Sequence, residues 1–116
     1  MKREIKDYLN DIVDAMDKSI TFTSEMNYED FVKDTRTVYA VIRALEIIGE
    51  AVKKIPGNIR KKYSQIPWQK MAGMRDKLIH EYFGVIYERV WETVKRDIPQ
   101  VKPLIEEILD VMKKNK

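Results

Sequence analysis

Cysteine is absent from the 116 residues, so neither a disulfide framework nor thiol chemistry is open to this chain. Histidine occurs once, at position 80, and one imidazole cannot build a zinc site without carboxylates at ligand-like spacing, which are missing. No cofactor and no metal are therefore expected. The four glycines stand apart at positions 49, 57, 73 and 84, which rules out a glycine-rich loop around a phosphate. Ser64 and Thr93 lack the context of a nucleophile elbow. There is no run of 18 or more apolar residues and no charged-then-apolar leader, so neither a membrane span nor a signal peptide is indicated. A cytoplasmic location follows as the expectation. Strand-like alternation, internal repeats and low-complexity tracts are also missing.

What is present is helical periodicity in a chain that is 44% hydrophobic and 35% charged, a composition that fits one compact domain over residues 1–116. Ile5, Leu9, Ile12, Met16 and Ile20 recur at helical spacing, which predicts an amphipathic first helix. The Ser- and Thr-rich stretch 19–26 reads as a connection, and Asn27 with Asp30 reads as an N-cap with its capping-box partner. Phe31, Val38, Ile42, Leu45, Ile48 and Val52 then carry a long second helix, stopped by Pro56-Gly57-Asn58 after about 27 residues. That length suggests either a kink near Thr35 or Thr37 or a helix that spans a dimer. A short helical or irregular piece, 59–65, precedes Pro67, which suits the first turn of a third main helix ending near Phe83-Gly84. Two last helices are expected over 86–96 and 99–113, with Asp97 as N-cap and a buried stripe of Ile98, Val101, Leu104, Ile105, Ile108 and Met112. Pro103 removes a donor inside that pattern, so the last helix either starts later or bends there. The predicted architecture is all-α, an antiparallel bundle of about four to five helices.

The third main helix holds the chemistry. His80 is the one side chain whose ordinary pKa lets it take and give a proton near neutrality. Asp76 precedes it by four residues, roughly 40° around a helix, within reach of the imidazole. Arg75 lies five residues before, about 140° away, and its long stem can bring a permanent cation to the same pocket. A structural use is also open to Arg75, as an ion-pair partner for neighbours of Asp76 or for Glu50. Charge is segregated as well. Residues 1–50 carry 11 acidic and 7 basic side chains, residues 51–75 carry 7 basic and none acidic, and residues 76–116 carry 8 of each. The basic block of Lys53, Lys54, Arg60, Lys61, Lys62, Lys70 and Arg75 leads into the His80 helix, as a track for a polyanion's phosphates would.

Arg75-Asp76-x-x-x-His80-x-Tyr82 resembles the signature of the HepT-like ribonuclease toxins in the HEPN superfamily. Ala44-Leu45-Glu46-Ile47-Ile48-Gly49-Glu50-Ala51 resembles that family's long-helix segment, and Ile66-Pro67-Trp68 followed by Met74-Arg75 its entry into the catalytic helix. The likeness runs over nearly the whole chain. It departs at Asp76, where the family more often carries Asn, and at Ile86, where an aspartate helix cap is expected. The resemblance implies metal-independent RNA cleavage, in which the RNA's own 2′-hydroxyl attacks phosphorus, with Arg75 on the phosphate, His80 as base or acid and Asp76 orienting it. One histidine is half of an acid–base pair, a physical reason to expect a homodimer with the site at its twofold interface. The resemblance further implies a minimal nucleotidyltransferase antitoxin as partner, which silences the toxin by AMPylation of Tyr82. The competing reading is a noncatalytic helical binding subunit of a nucleotidyltransferase.

Overall fold

The computed structural model describes residues 2–80 and 86–115, and the side chains of all of these but Ile79 and His80. Among the described residues the regular structure is all helix, with no strand, and no helix is long and apolar enough to cross a membrane. Helix α1 (Ile5–Thr23) buries Leu9, Ile12, Ala15 and Met16 along one stripe. Its start is fixed by the Asp7 carboxylate, which accepts the Glu4 backbone N–H at 2.8 Å. The stretch expected to leave the helix at Ser19 instead continues it to Thr23. Both hydroxyls are fully buried, and each donates back to the helix, Ser19 to the Met16 carbonyl at 2.8 Å and Thr23 to that of Ser19 at 2.9 Å. Self-satisfaction of this kind removes the cost of burying a hydroxyl and makes Ser and Thr tolerable inside a helix.

The long second helix is in fact two. Helix α2 (Tyr28–Lys33) opens on the expected capping box, with Asp30 N–H donating to Asn27 at 2.8 Å and Asn27 N–H to Asp30 at 3.1 Å. The chain leaves helical geometry at Asp34 and re-enters as α3 (Thr35–Val52), where Asp34 accepts the Thr37 N–H at 3.1 Å. The break falls one residue before the expected kink, because an aspartate at this position can cap a new helix more cheaply than a bend can be strained into an old one. Helix α4 (Gly57–Lys62) follows Pro56, and α5 (Trp68–His80) follows Pro67, whose carbonyl accepts the Met71 N–H at 3.0 Å. Pro67 thus stands just outside the helix it was expected to begin. The expected end of this helix near Phe83-Gly84 lies outside the described residues.

The last part of the chain is one helical run in three pieces: α6 (Tyr87–Glu92), a π-helical turn (Thr93–Asp97) and α7 (Ile98–Lys114). Ile86 precedes α6 without a side-chain cap. Asp97 was expected to cap α7, and this is corrected by the structure: its backbone is helical and its side chain makes no cap bond, since the run arrives already helical. Pro103 sits inside α7 on an exposed face, where the carbonyl it leaves unpaired can meet water. Helix α3 is the axis of the fold, with α1 and α5 packed along it and α7 against α1. Val38, Val41, Leu45, Ile48 and Val52 of α3 join Leu9, Ile12, Met16, Ile105 and Ile108 in the core. At the α2–α6 end, Trp91 packs on Phe31 and Tyr28 with ring centroids 5.2 and 6.1 Å apart.

Candidate active site

Helix α5 is placed by two contacts before any charged group matters. At its start Trp68 is buried, and its indole N–H donates to the Tyr63 carbonyl at 3.1 Å, satisfying the one polar atom of a large apolar anchor. Further along, α5 crosses α3 at Gly49, where a side chain would strike Arg75 Cβ and crowd the Met71 carbonyl oxygen. The two backbones therefore approach closely at Arg75, the first residue of the sequence motif.

The side chain of Arg75 is mostly covered, 27% exposed. Nη1 donates to Asp76 Oδ1 at 3.2 Å, and Nη2 lies 3.9 Å from Glu50 Oε1. Nε is buried with no partner among the described residues. The same Asp76 oxygen accepts Lys53 Nζ at 2.5 Å. Glu50 is also within 3.6 Å of Arg43 Nη1, which pairs with Glu46 at 3.3 Å. Three cations and three anions thus alternate along the α3–α5 contact. The Lys53 ammonium, then the Arg75 guanidinium, hold the Asp76 carboxyl below its ordinary value of 3.8 against a small opposing effect of burial.

The other members of the basic block divide. Arg60 turns inward: Nη2 donates to the Val52 carbonyl at 2.7 Å and Nε to the Ile55 carbonyl at 3.0 Å, closing the C-terminal end of α3. Lys62 lies over the Tyr63 ring at 5.6 Å. Lys54, Lys61 and Lys70 are exposed. His80 is the last described residue of α5, with its side chain outside the description, and Tyr82 lies wholly outside the described residues. The ion pair of Arg75 with Glu50 was legible as an alternative use of that arginine. The seat at Gly49 was not, although a lone glycine inside a strongly periodic helix is a recognisable sign of close packing.

The family model described as ribonuclease HepT-like matches residues 12–108. The chain belongs to that family. Among the HepT-like relatives, Methanocaldococcus jannaschii has one named "Putative RNase MJ0125", 57% identical over 108 residues that cover 93% of each chain. A Thermococcus cleftensis relative named "Probable ribonuclease HepT" is 54% identical over 108 residues, 93% of this chain and 98% of its own. No solved structure matches. The family's fold agrees with the all-α bundle, and the matched span contains all of α3 and α5, so the crossing at Gly49 and Arg75 lies within it.

Proposed function

We propose that this HepT-like protein is a metal-independent endoribonuclease, the toxin of a toxin–antitoxin pair, with Arg75 and His80 as its catalytic residues. The observation that carries the reading is Arg75, a guanidinium fixed at a helix crossing on the element that bears the single histidine. Five residues of α-helix separate the two along the axis by about 7.5 Å, comparable to the reach needed to serve one phosphodiester. The geometry of a planar, permanently charged fork suits the non-bridging oxygens of a phosphate, where negative charge grows in the transition state. The ribonuclease names of the relatives support the same chemistry.

In this mechanism the RNA 2′-oxygen bonds to phosphorus as the bond from phosphorus to the 5′-oxygen breaks. His80 takes the 2′-hydroxyl proton, and an acid returns a proton to the leaving 5′-oxygen. The products are a 2′,3′-cyclic phosphate and a free 5′-hydroxyl. Each proton transfer contributes about 10²- to 10⁴-fold. A second copy of the chain supplies the second histidine across a twofold axis, so the working unit is a homodimer built on α3 and α5. Beside α5, a groove of about 400 Å³ lined by Met71, Met74, Val101 and Leu104 leaves apolar surface of the kind a second copy covers. RNA runs along Lys54, Lys61, Lys62 and Lys70, while Lys53 and Arg60 are engaged by internal partners and make no phosphate contact. Asp76, bound by Lys53 and Arg75, orients the site rather than titrating near neutrality. A minimal nucleotidyltransferase antitoxin silences the enzyme by attaching AMP to Tyr82, two residues from His80, where added charge and bulk exclude a phosphodiester.

Incubation of the purified protein with total RNA in excess chelator tests the reading. Wild type cleaves and leaves cyclic phosphate ends, whereas Arg75→Ala keeps only a residual rate, slowed about 10²- to 10³-fold, and His80→Ala does not cleave. Cleavage that returns only when a divalent metal is added would sink the mechanism.

A further inference from the structure

Glycine at position 49 is not required by the backbone, since no glycine among the described residues has a positive φ. It stands inside α3, where alanine would make a more stable helix. Space is the reason it is there. A Cβ at 49 would collide with Arg75 Cβ and lie 3.0 Å from Arg75 Cγ and 3.1 Å from the Met71 carbonyl oxygen. The Arg75 Cβ and the Met71 carbonyl are fixed to the backbone of α5, so they yield only if the helix moves. At Gly57, by contrast, a Cβ would meet nothing within 4 Å.

The next residue acts on the other end of the same side chain. Glu50 Oε1 is 3.9 Å from Arg75 Nη2 and is itself steadied by Arg43 at 3.6 Å, while Asp76 holds Nη1 and is tied to Lys53. An arginine stem has several rotatable bonds, and a guanidinium held at only one end samples many directions. Here the base of the stem is pressed against α3 and the fork is flanked by two carboxylates.

We propose that Gly49 and Glu50 are a positioning element for Arg75: the bare α-carbon sets how closely Arg75 approaches α3, and the adjacent carboxylate sets the direction in which its fork presents to the scissile phosphate. Neither residue touches the RNA. The assignment rests on the reading of Arg75 as the phosphate-binding catalytic residue. A reacting group displaced by about 1 Å loses on the order of 10²-fold in rate. Gly49→Ala therefore lowers kcat about 100-fold, and the isosteric Glu50→Gln, which cannot move a helix, about tenfold.

Phosphorothioate RNA separates positioning from a merely structural loss. Replacing a non-bridging oxygen by sulfur at the scissile phosphate weakens a contact with Arg75, so wild type slows on the sulfur substrate and Arg75→Ala shows no such ratio. If wild type and Arg75→Ala give the same sulfur ratio, the catalytic reading of Arg75 fails, and this inference with it. With that ratio dependent on Arg75, Gly49→Ala and Glu50→Gln are expected to lower kcat per folded molecule, leave KM nearly unchanged and shrink the ratio towards that of Arg75→Ala. Gly57→Ala is expected to match wild type in all three. A wild-type sulfur ratio in folded Gly49→Ala or in Glu50→Gln overturns the proposal. Should Gly49→Ala fail to fold, Glu50→Gln decides alone.

Discussion

Arg60 separates a residue that builds the fold from one that binds RNA. Its guanidinium makes two hydrogen bonds to the carbonyls that end α3 and the following turn, at 2.7 and 3.0 Å, in a part-buried site. Hydrogen bonds from a charged donor are worth about 1.5 to 3 kcal/mol each, and a cation at a helix C-terminus adds about 0.3 to 1 kcal/mol. The two bonds share one side chain and are not additive, so Arg60→Met is expected to cost about 3 kcal/mol. In a domain of this size a loss of 1 kcal/mol lowers the thermal midpoint by about 4 °C, which puts the drop near 10 °C. Circular dichroism at 222 nm reads the midpoint. RNA affinity, measured in a His80→Ala background across a salt series, reads the phosphate contacts, each worth about 0.7 in the slope of log K on log salt for a single strand. Arg60→Met should leave that slope intact, whereas Lys61→Met should flatten it and leave the midpoint alone. An Arg60→Met protein with an unchanged midpoint and a flattened slope would refute the assignment of its guanidinium to α3.

Tyr82→Phe is expected to retain most cleavage and to escape AMPylation; a variant as inactive as His80→Ala would make the phenol a catalytic group instead. For Asp76 the sign is set by its depressed carboxyl: the stabilisation is present above the ordinary value of 3.8 and is lost as pH falls through the lower folded value. Asp76→Asn should therefore unfold at lower temperature than wild type at pH 7, with the two midpoints converging in strong acid, and a pH-independent gap would remove Asp76 from the ion-pair chain. Sedimentation should find a dimer, and full activity in a monomer would end the shared-site mechanism.

Helix identities were legible wherever the signal was local. Asn27 and Asp30 announce a capping box, and the apolar spacing of α1 and α7 is regular enough to place their buried faces. Errors arose where one residue type serves two geometries. Ser19 and Thr23 suggest a loop by propensity, but their hydroxyls bond back into the helix once buried. Asp97 has the chemistry of a cap and no free helix end to use it on. In the candidate site, Arg75 and Asp76 stood out by spacing, while the roles of Gly49 and Arg60 depend on a crossing and a turn that bring residues 26 and 8 positions apart together. Such pairs carry no periodic trace in the sequence.

The π-helical turn at Thr93–Asp97 acts as a vernier on the last helical run. Val90, Val94 and Ile98 are buried at successive spacings of four, a series that would drift by about 80° around an ordinary α-helix over two steps. The wider turn absorbs one surplus residue and returns the stripe to the inner face before Val101, Ile105 and Ile108 take it up. Removing Arg96 would leave inward positions separated by four, three, three, four and three residues, the rhythm of a plain α-helix. One residue can thus be lost here while α7 keeps its inward face, whereas a deletion within α7 would turn every later side chain by about 100°. The chain carries at this point a place where its length can change and its core need not.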